Sequence, residues 1–223
     1  MDSPLEIFSD RSERLHYNDP EFPLYVRKDV LRRYGFAAAC HWHPDLEFIL
    51  ILDGSMDYFV NGKSVRLDAG RGIFVNSRRL HYGFSENRTD CTFIAAVVHP
   101  TLLSGSSRVA QGYLARKFGP EAEDFVLLGP DVPWQRKDLR LLRLLCGETE
   151  GGAANPLRLL SQAAFLCADI GDHIRQNPEN CADDLLRPIV FHMAQFVHRH
   201  YAAAITLDDI AASGAVCRSR CCA

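Results

Sequence analysis

The spacing of apolar residues changes once along this chain of 223 residues, at His99-Pro100. Before this point the apolar residues form short runs bounded by Gly, Asn, Asp or Pro, a pattern typical of strands. After it they recur every three to four residues, as they do along amphipathic helices. The change predicts an α+β protein in which a small antiparallel barrel or sandwich is followed by helices.

The first hundred residues divide into several short predicted strands. The Asn61-Gly62 pair readily takes the positive φ angles of a two-residue hairpin turn, so the runs on either side of it should pair. The predicted strands are Glu47–Leu52, Met56–Val60, Ser64–Leu67, Gly70–Val75 and Cys91–Val98.

Two helices are predicted in the middle of the chain. The first should begin with Asp138 as its N-cap and end at Gly147, with its apolar stripe at Leu139, Leu142 and Leu145. The segment Glu148–Asn155 should be an exposed loop. The second helix should run from Pro156 to about Gln176 with Leu160, Ala164 and Cys167 near one face.

A third helix is predicted from about Asp184, where Pro188 is tolerated in the first turn. Its apolar stripe consists of Ile189, Met193, Phe196 and Val197. Two long amphipathic helices joined by a polar loop commonly pack together or against a second copy. We therefore expect a homodimer.

Charge and composition exclude several classes of protein. The formal net charge of −3 provides no general attraction to nucleic acid, so any contact with DNA must be local. No run of about 18 apolar residues is present, and residues 1–14 are too acidic and polar for a signal peptide. We therefore expect a cytoplasmic protein without membrane contact. The eight cysteines are scattered, so reduced thiols are favoured over disulfides.

Histidines and a carboxylate form the candidate site. His41, His43 and Glu47 have the same parity, so on one extended strand they would share a face. His81 follows on a later strand. Three imidazoles and one carboxylate suit a divalent metal such as zinc, nickel, manganese or iron. The alternative is that these side chains hydrogen-bond within the barrel or contact a small polar effector.

The spacing of these residues resembles the cupin superfamily over roughly residues 25–100. The resemblance implies a jelly-roll barrel in which His41, His43, Glu47 and His81 correspond to the metal-binding positions of cupin enzymes. In those enzymes a proline and a glycine usually precede the last histidine, whereas this chain has Val75-Asn76-Ser77-Arg78-Arg79-Leu80. That difference favours the hydrogen-bonding or effector interpretation over a metal.

Two arginines in the same segment leave a second alternative. Arg78 and Arg79 would either bind an anionic effector through bidentate hydrogen bonds or lie in a solvated loop. The solvated loop is the favoured interpretation.

The last residues contain a possible DNA-binding unit. Thr206 followed by Asp209 is a capping-box pattern that predicts a short helix, Leu207–Ala212, followed by a turn at Ser213-Gly214. A further helix should begin near Cys217. The stretch from Phe196 to Ala223 resembles the opening of an AraC-type DNA-binding domain, in which this further helix reads the major groove.

The AraC-type resemblance implies roles for several residues. Arg218, Ser219 and Arg220 would face DNA, and Cys221 or Cys222 would face inward. An ordinary surface helix and a metal site at Cys217, Cys221 and Cys222 are the alternatives. Because the sequence ends about two turns into this helix, we expect the chain to bind promoter DNA weakly or not at all.

The domain order predicted from these patterns has three parts. Residues 1–104 are a cupin-like effector-binding domain, residues 105–183 a helical linker and dimerisation region, and residues 184–223 the first part of a helix-turn-helix domain. The predicted function is a transcription regulator that responds to a small-molecule effector, for which sugars are a precedent in the family. The alternatives are a metal-dependent cupin dioxygenase or isomerase, and a dimerisation module that sequesters longer partners.

Overall fold

The structure is a computed structural model that describes residues 5–151, 154–176 and 203–221, with positions 189, 193, 196, 197 and 200. Its strands are β1 (Glu6–Ile7), β2 (Glu13–Arg14), β3 (Leu24–Val30), β4 (Leu46–Val60), β5 (Lys63–Asp68), β6 (Gly72–Val75), β7 (His81–Phe84), β8 (Cys91–Val98) and β9 (Phe125–Leu128). Its helices are α1 (Pro100–Ser104), α2 (Arg108–Lys117), α3 (Pro133–Glu150), α4 (Pro156–His173), α5 (Leu207–Ser213) and α6 (Arg218–Cys221), with a 3₁₀ helix at Leu31–Tyr34.

Strand β4 belongs to both sheets of the N-terminal domain. Its first half pairs with β6 and β8, in a sheet of order β3-β8-β4-β6-β9, and its second half pairs with β5 and β7. A register shift between Ile51 and Asp53 separates the two halves. The sequence predicted two strands here, but a bulge bends one continuous strand instead.

The jelly-roll expectation is confirmed, although the sheets do not close into a barrel. The predicted hairpin is also confirmed, because Asn61 and Gly62 have φ angles of +44° and +88° between β4 and β5. Strand β8 has the predicted bounds. Strand β9 was not predicted, since its four residues lie within a segment whose apolar pattern is helical on both sides.

Both faces of the first half of β4 are buried, which explains its nearly continuous apolar sequence. Phe48 and Leu50 pack in the core that includes Leu142 of α3 and Leu166 of α4. Residues of the opposite parity, such as Ile49, pack in a second cluster on the other face of the sheet. The helices therefore pack against one face of this sheet, and its other face points to the interior of the domain.

The predicted start and end of α3 are wrong. The helix begins at Pro133, a residue that is pre-organised for the first helical position, and ends after Glu150. Asp138 therefore lies inside the helix, where it is fully buried, and Gly147 does not end it. The predicted loop shrinks accordingly, and Asn155 caps α4 through a hydrogen bond from the Leu157 amide.

The predicted apolar face of α4 is displaced by about one residue. Leu159, Ala163, Leu166 and Ile170 are buried, whereas Ala164 is exposed and Leu160 is only partly buried. Cys167 is buried as predicted. The helix ends at His173, three residues before the predicted end, because residues 174 and 175 leave the helical conformation.

The capping box and short helix near the C-terminus are confirmed. The Thr206 hydroxyl accepts from the Asp209 amide, and the Asp209 carboxylate accepts from the Thr206 amide. The predicted third helix lies largely outside the described residues, but Ile189, Met193, Phe196 and Val197 are helical where described.

Two expectations about the chain as a whole can be compared with the described residues. Their six cysteines are free thiols, as predicted: Cys40, Cys91, Cys146, Cys167, Cys217 and Cys221. No helix among these residues is long and apolar enough to cross a membrane.

Candidate metal and effector site

The four residues selected from the sequence converge in the interior of the domain. His41, His43, Glu47 and His81 are all buried, and each offers a ligand atom within 4.8 Å of those of the other three. The Glu47 carboxylate lies at the centre, because its Oε2 is 2.9 Å from His43 Nε2 and 3.1 Å from His81 Nε2.

These residues meet in a different way from the one the sequence predicted. The chain bends at Pro44 and Asp45, so that of the three residues only Glu47 lies on β4. His41 reaches the site through an antiparallel bridge to His81, with both backbone hydrogen bonds formed. The parity of their positions pointed to the right residues. However, His41 enters the site because it pairs with His81 on β7.

Backbone carbonyls determine how two of the rings present their nitrogens. Nδ1 of His41 lies 2.8 Å from the Ala39 carbonyl oxygen, and Nδ1 of His81 lies 2.6 Å from that of Arg79. Since a carbonyl oxygen only accepts, both Nδ1 atoms donate, and both Nε2 atoms point toward carboxylates. Metal-binding histidines are oriented by the same kind of hydrogen bond.

Electrostatics gives the cluster a charged pair and one uncharged histidine. Burial alone would favour the neutral forms, but hydrogen bonding and opposite charge raise the pKa of His43 and hold the pKa of Glu47 well below its usual value. Burial and the neighbouring histidines lower the pKa of His41 to about 3. An ion pair of His43 with Glu47 therefore lies beside a neutral His41.

Sequence reasoning missed two members of the site. The Tyr58 hydroxyl donates a short hydrogen bond to Glu47 Oε1, and burial together with that carboxylate raises the pKa of Tyr58 well above its usual value. Glu13 Oε2 on β2 lies 3.3 Å from His41 Nε2. The alternation of Met56, Tyr58 and Val60 could have indicated Tyr58, but no pattern pointed to Glu13.

A second group of contacts lies behind His43. Its Nδ1 is buried without a hydrogen-bond partner, 3.7 Å from Asp45 Oδ2. Asp45 in turn accepts a hydrogen bond of 2.6 Å from the Tyr17 hydroxyl. The N-terminal segment therefore contacts the cluster directly through Glu13, and Tyr17 contacts Asp45 next to it.

A cavity of about 1240 Å³ opens next to the cluster. One wall is polar and includes Glu13, His41, Glu47 and Tyr58. The apolar part of the wall comes from several strands and includes Ile49, Met56, Phe93, Ala95 and Val97. A cavity with a few convergent polar groups and an apolar lining is the usual form of a small-molecule site, and this one is large enough for a drug-sized compound.

The two arginines considered for anion binding have different surroundings. Arg78 is exposed at a φ of +59°, as expected for a loop residue. For Arg79 both interpretations are wrong, because its guanidinium is buried and forms an ion pair of 2.7 Å with Asp124. Its NH2 group also lies within hydrogen-bonding distance of carbonyl oxygens of residues 119–122.

The DNA-binding candidates lie on or beside α6. Arg218 and Ser219 are exposed, and the side chain of Arg220 lies outside what the structure describes. Arg218 NH1 is 3.6 Å from the equally exposed Asp208 carboxylate of α5. Cys221 is partly buried, in agreement with its predicted inward position, whereas Cys222 is not described.

The donor set at the histidine cluster fits a divalent metal. Zinc and its neighbours bind imidazole and carboxylate ligands at about 2.0–2.2 Å, so small inward movements of the four side chains would complete a site. His41, His43, Glu47 and His81 would hold the ion, which would act as a Lewis acid or orient a bound molecule. The described cysteines are not part of any such group.

Comparison with known proteins identifies the domain that carries this site. Residues 33–97 match the family model described as Cupin domain. They include β4 through most of β8 and all four residues of the cluster. The cupin resemblance predicted from the spacing of the histidines is therefore confirmed.

A longer relative covers most of the chain. The sequence is 25% identical over 186 residues to an uncharacterized HTH-type transcriptional regulator, YdeC, of Bacillus subtilis (strain 168), and the match covers 82% of this chain. This chain spans 62% of the length of that protein. The predicted resemblance to a helix-turn-helix transcription regulator is thereby confirmed.

Solved structures give weaker likenesses. ToxT of Vibrio cholerae with a bound unsaturated fatty acid is 10% identical, with a TM-score of 0.47 over 93% of this chain and 73% of that chain. A predicted oxalate decarboxylase of Thermotoga maritima is 30% identical, with a TM-score of 0.27 over 28% of this chain and 56% of that chain. Because both TM-scores are below 0.5, we base no argument on them.

Proposed function

We propose that this chain is the sensory part of a transcription regulator, and that its cupin domain binds a small-molecule effector in the cavity beside the histidine cluster. The cavity is the observation that carries the proposal. It combines charged and hydroxyl groups, such as Glu13 and Tyr58, with apolar side chains, within a chain similar to a helix-turn-helix regulator. A sugar is one candidate effector, with its hydroxyls toward Glu13 and Tyr58.

Binding without turnover distinguishes a sensor from an enzyme. We suggest measuring the melting temperature of the protein against a panel of sugars, small carboxylic acids and amphipathic compounds. A compound that binds the folded state raises the melting temperature by mass action. Mass spectrometry would then show whether the compound is recovered unchanged. Unchanged recovery supports the sensor, whereas conversion by metal-loaded protein would contradict it.

A substitution within the cavity ties binding to this location. Ala95 lines the cavity, so Ala95→Leu should abolish the stabilisation by a compound found in the screen. Ala115 lies exposed on α2, and Ala115→Leu provides a matched control that should respond like the parent protein. Equal stabilisation of both variants would place the compound elsewhere.

Contact with DNA is proposed for α6. Arg218 and Ser219 are exposed there, and Arg220 belongs to the same helix. We expect these 223 residues to bind promoter DNA weakly, because the net charge is −3 and Arg218 is paired with Asp208. Titration of labelled promoter DNA at low salt is the check. A sequence-selective complex that resists moderate salt would contradict this expectation.

The α3–α4 pair is the proposed dimerisation surface. The two helices are antiparallel, since Lys137 contacts Asp169 and Glu148 contacts Gln162. On their outer side Leu144 and Phe165 are exposed and border one shallow groove. Leu144→Glu should convert a dimer into a monomer in light scattering, whereas Leu127→Glu, at an exposed leucine on β9, should not. A monomeric parent protein at micromolar concentration would contradict the proposal.

A metal-dependent enzyme is the second candidate function, and the convergence of His41, His43, Glu47 and His81 favours it. Metal analysis of protein purified without a histidine tag, compared with His81→Ala, separates the two ideas. The enzyme requires stoichiometric metal in the parent protein, loss of metal in the variant, and turnover. The sensor requires no turnover and is compatible with either metal content.

A further inference from the structure

Glu13 lies outside the residues that match the cupin family model, yet its side chain is buried in the cupin site. Only 8% of the side chain is exposed. Its position is set by backbone pairing beside the histidines, since the Glu13 amide donates to the Trp42 carbonyl and the Trp42 amide donates to the Arg11 carbonyl, both at 2.9 Å. The Trp42 indole adds a hydrogen bond of 2.9 Å to the Asp10 carbonyl.

These hydrogen bonds fix Glu13 relative to the cluster. Trp42 separates His41 from His43 in the sequence, so pairing with Trp42 places β2 directly beside both rings. The hairpin of β1 and β2 therefore presents one carboxylate to the interior. Glu6, on β1, pairs instead with His16, at 2.9 Å.

The contact between Glu13 and His41 has an unusual pairing of groups. His41 donates through Nδ1 to the Ala39 carbonyl, so Nε2 of the neutral ring carries a lone pair. This lone pair faces the Glu13 carboxyl group at 3.3 Å, and Glu47 Oε2 lies 3.1 Å from Nε2 of the neighbouring His81. A cation shared by these groups would be attracted by the ring nitrogen and by both acidic side chains.

We propose that Glu13 is a fifth ligand of a divalent cation held by His41, His43, Glu47 and His81, so that cation binding fastens the N-terminal hairpin over the cavity. The inference rests on the proposed metal site and extends it to a segment outside the cupin motif. Leu5, Glu6 and residues 13–18 line the cavity. Fastening this segment therefore closes one wall of the proposed effector site.

The test measures cation affinity and hairpin protection on the whole chain. Protein without a tag is stripped with a chelator and titrated with Zn²⁺ and Ni²⁺, and amide hydrogen exchange is followed over residues 5–19. In the parent protein the cation should slow exchange in this segment. Glu13→Gln should weaken cation binding at least tenfold and remove the added protection. Glu21→Gln, at an exposed carboxylate of the same N-terminal segment that does not line the cavity, should leave both unchanged.

Each outcome decides between the proposals. If the parent binds cation and His81→Ala does not, while Glu13→Gln retains parental affinity and protection, the metal site stands and the role of Glu13 is refuted. If the parent binds no cation, both are refuted, whereas the effector-sensor proposal is unaffected. Circular dichroism checks the fold of each variant. Glu13→Asp, which keeps the charge on a shorter side chain, should restore part of the affinity if the carboxylate is a ligand.

Discussion

The Arg79 guanidinium and the Asp124 carboxylate form an ion pair of 2.7 Å across the domain, between the residues before β7 and those before β9. Arg79 also fixes the site itself, because its carbonyl oxygen accepts the hydrogen bond that orients His81. An arginine that looked like an anion-binding residue in the sequence therefore has a structural role.

Removing this guanidinium should destabilise the domain strongly. Arg79→Met takes the guanidinium away from several carbonyl oxygens and from the Asp124 charge, which keeps the Asn61 amide as a donor. Breaking a buried pair in this way typically costs about 3–5 kcal/mol. Urea unfolding followed by tryptophan fluorescence measures the loss. Arg78→Met, at the exposed neighbouring position, is the control and should change the free energy of unfolding by less than about 0.5 kcal/mol. Equal effects of the two substitutions would contradict the structural role.

Tyr58→Phe should weaken both the fold and the site. The variant loses a hydrogen bond to the buried Glu47 carboxylate, a type of interaction worth about 1.5–3 kcal/mol. If the cluster binds a cation, affinity should also fall, since hydroxyl partners orient ligating carboxylates. Thermal unfolding and Zn²⁺ titration are the measurements. Tyr82→Phe, on the partly exposed side of β7, should match the parent protein in both.

The stability of the α3–α4 pair should depend on pH through Asp138. Burial first, and then the charge of and hydrogen bonding with Asp169, raise the pKa of Asp138 to about 8, while Lys137 acts in the opposite direction. The folded protein therefore holds a proton that the unfolded chain releases near pH 4. Stability from this group is complete below pH 4 and is lost as the pH rises toward 8.

Asp138→Asn should remove that part of the pH dependence. The variant should gain stability relative to the parent as the pH rises from 5 to 8.5, because the amide requires no proton. Asp131→Asn is the control, since its carboxylate is 83% exposed. Urea unfolding across this range decides, and a parent-minus-variant difference that is constant with pH would refute the assigned pKa.

Thr206→Ala should unfold the start of α5 locally. The hydroxyl accepts from the Asp209 amide, and loss of an N-cap of this kind costs about 1 kcal/mol of helix stability. Amide hydrogen exchange over residues 207–213 should become faster. Thr206→Ser retains the cap and should exchange like the parent, so faster exchange in the serine variant would point to another cause.

The sequence was informative where local chemistry decides the structure. Asn61-Gly62 and the Thr206 capping box each depend on a few adjacent residues, and both are present as predicted. The helix limits depended on distant partners. Asp138 is of a residue type that favours the N-cap position, but the apolar side chains around it bury it inside α3. A propensity argument could not anticipate that burial.

Part of the site was also predictable, because some of its residues are recognisable from their spacing in the sequence. His41, His43, Glu47 and His81 follow a spacing that a cupin domain brings together, and they do meet. Glu13 joins them through pairing of β2 with Trp42, a contact between segments about 30 residues apart that leaves no trace in residue spacing. Their roles as ligands, and those of Arg218, Ser219 and Arg220 on DNA, stay predictions.

Strand β4 connects the two sheets of the domain through its bulge. Glu47 lies on the half that pairs with β6, and Tyr58 lies on the half that pairs with β7, so their hydrogen bond ties one sheet to the other across the bulge. A molecule that took Tyr58 away from Glu47 would release this tie. The two halves of β4 would then be free to change the angle between them at the bulge. Such a change would move the helices that pack on Phe48 and Leu50.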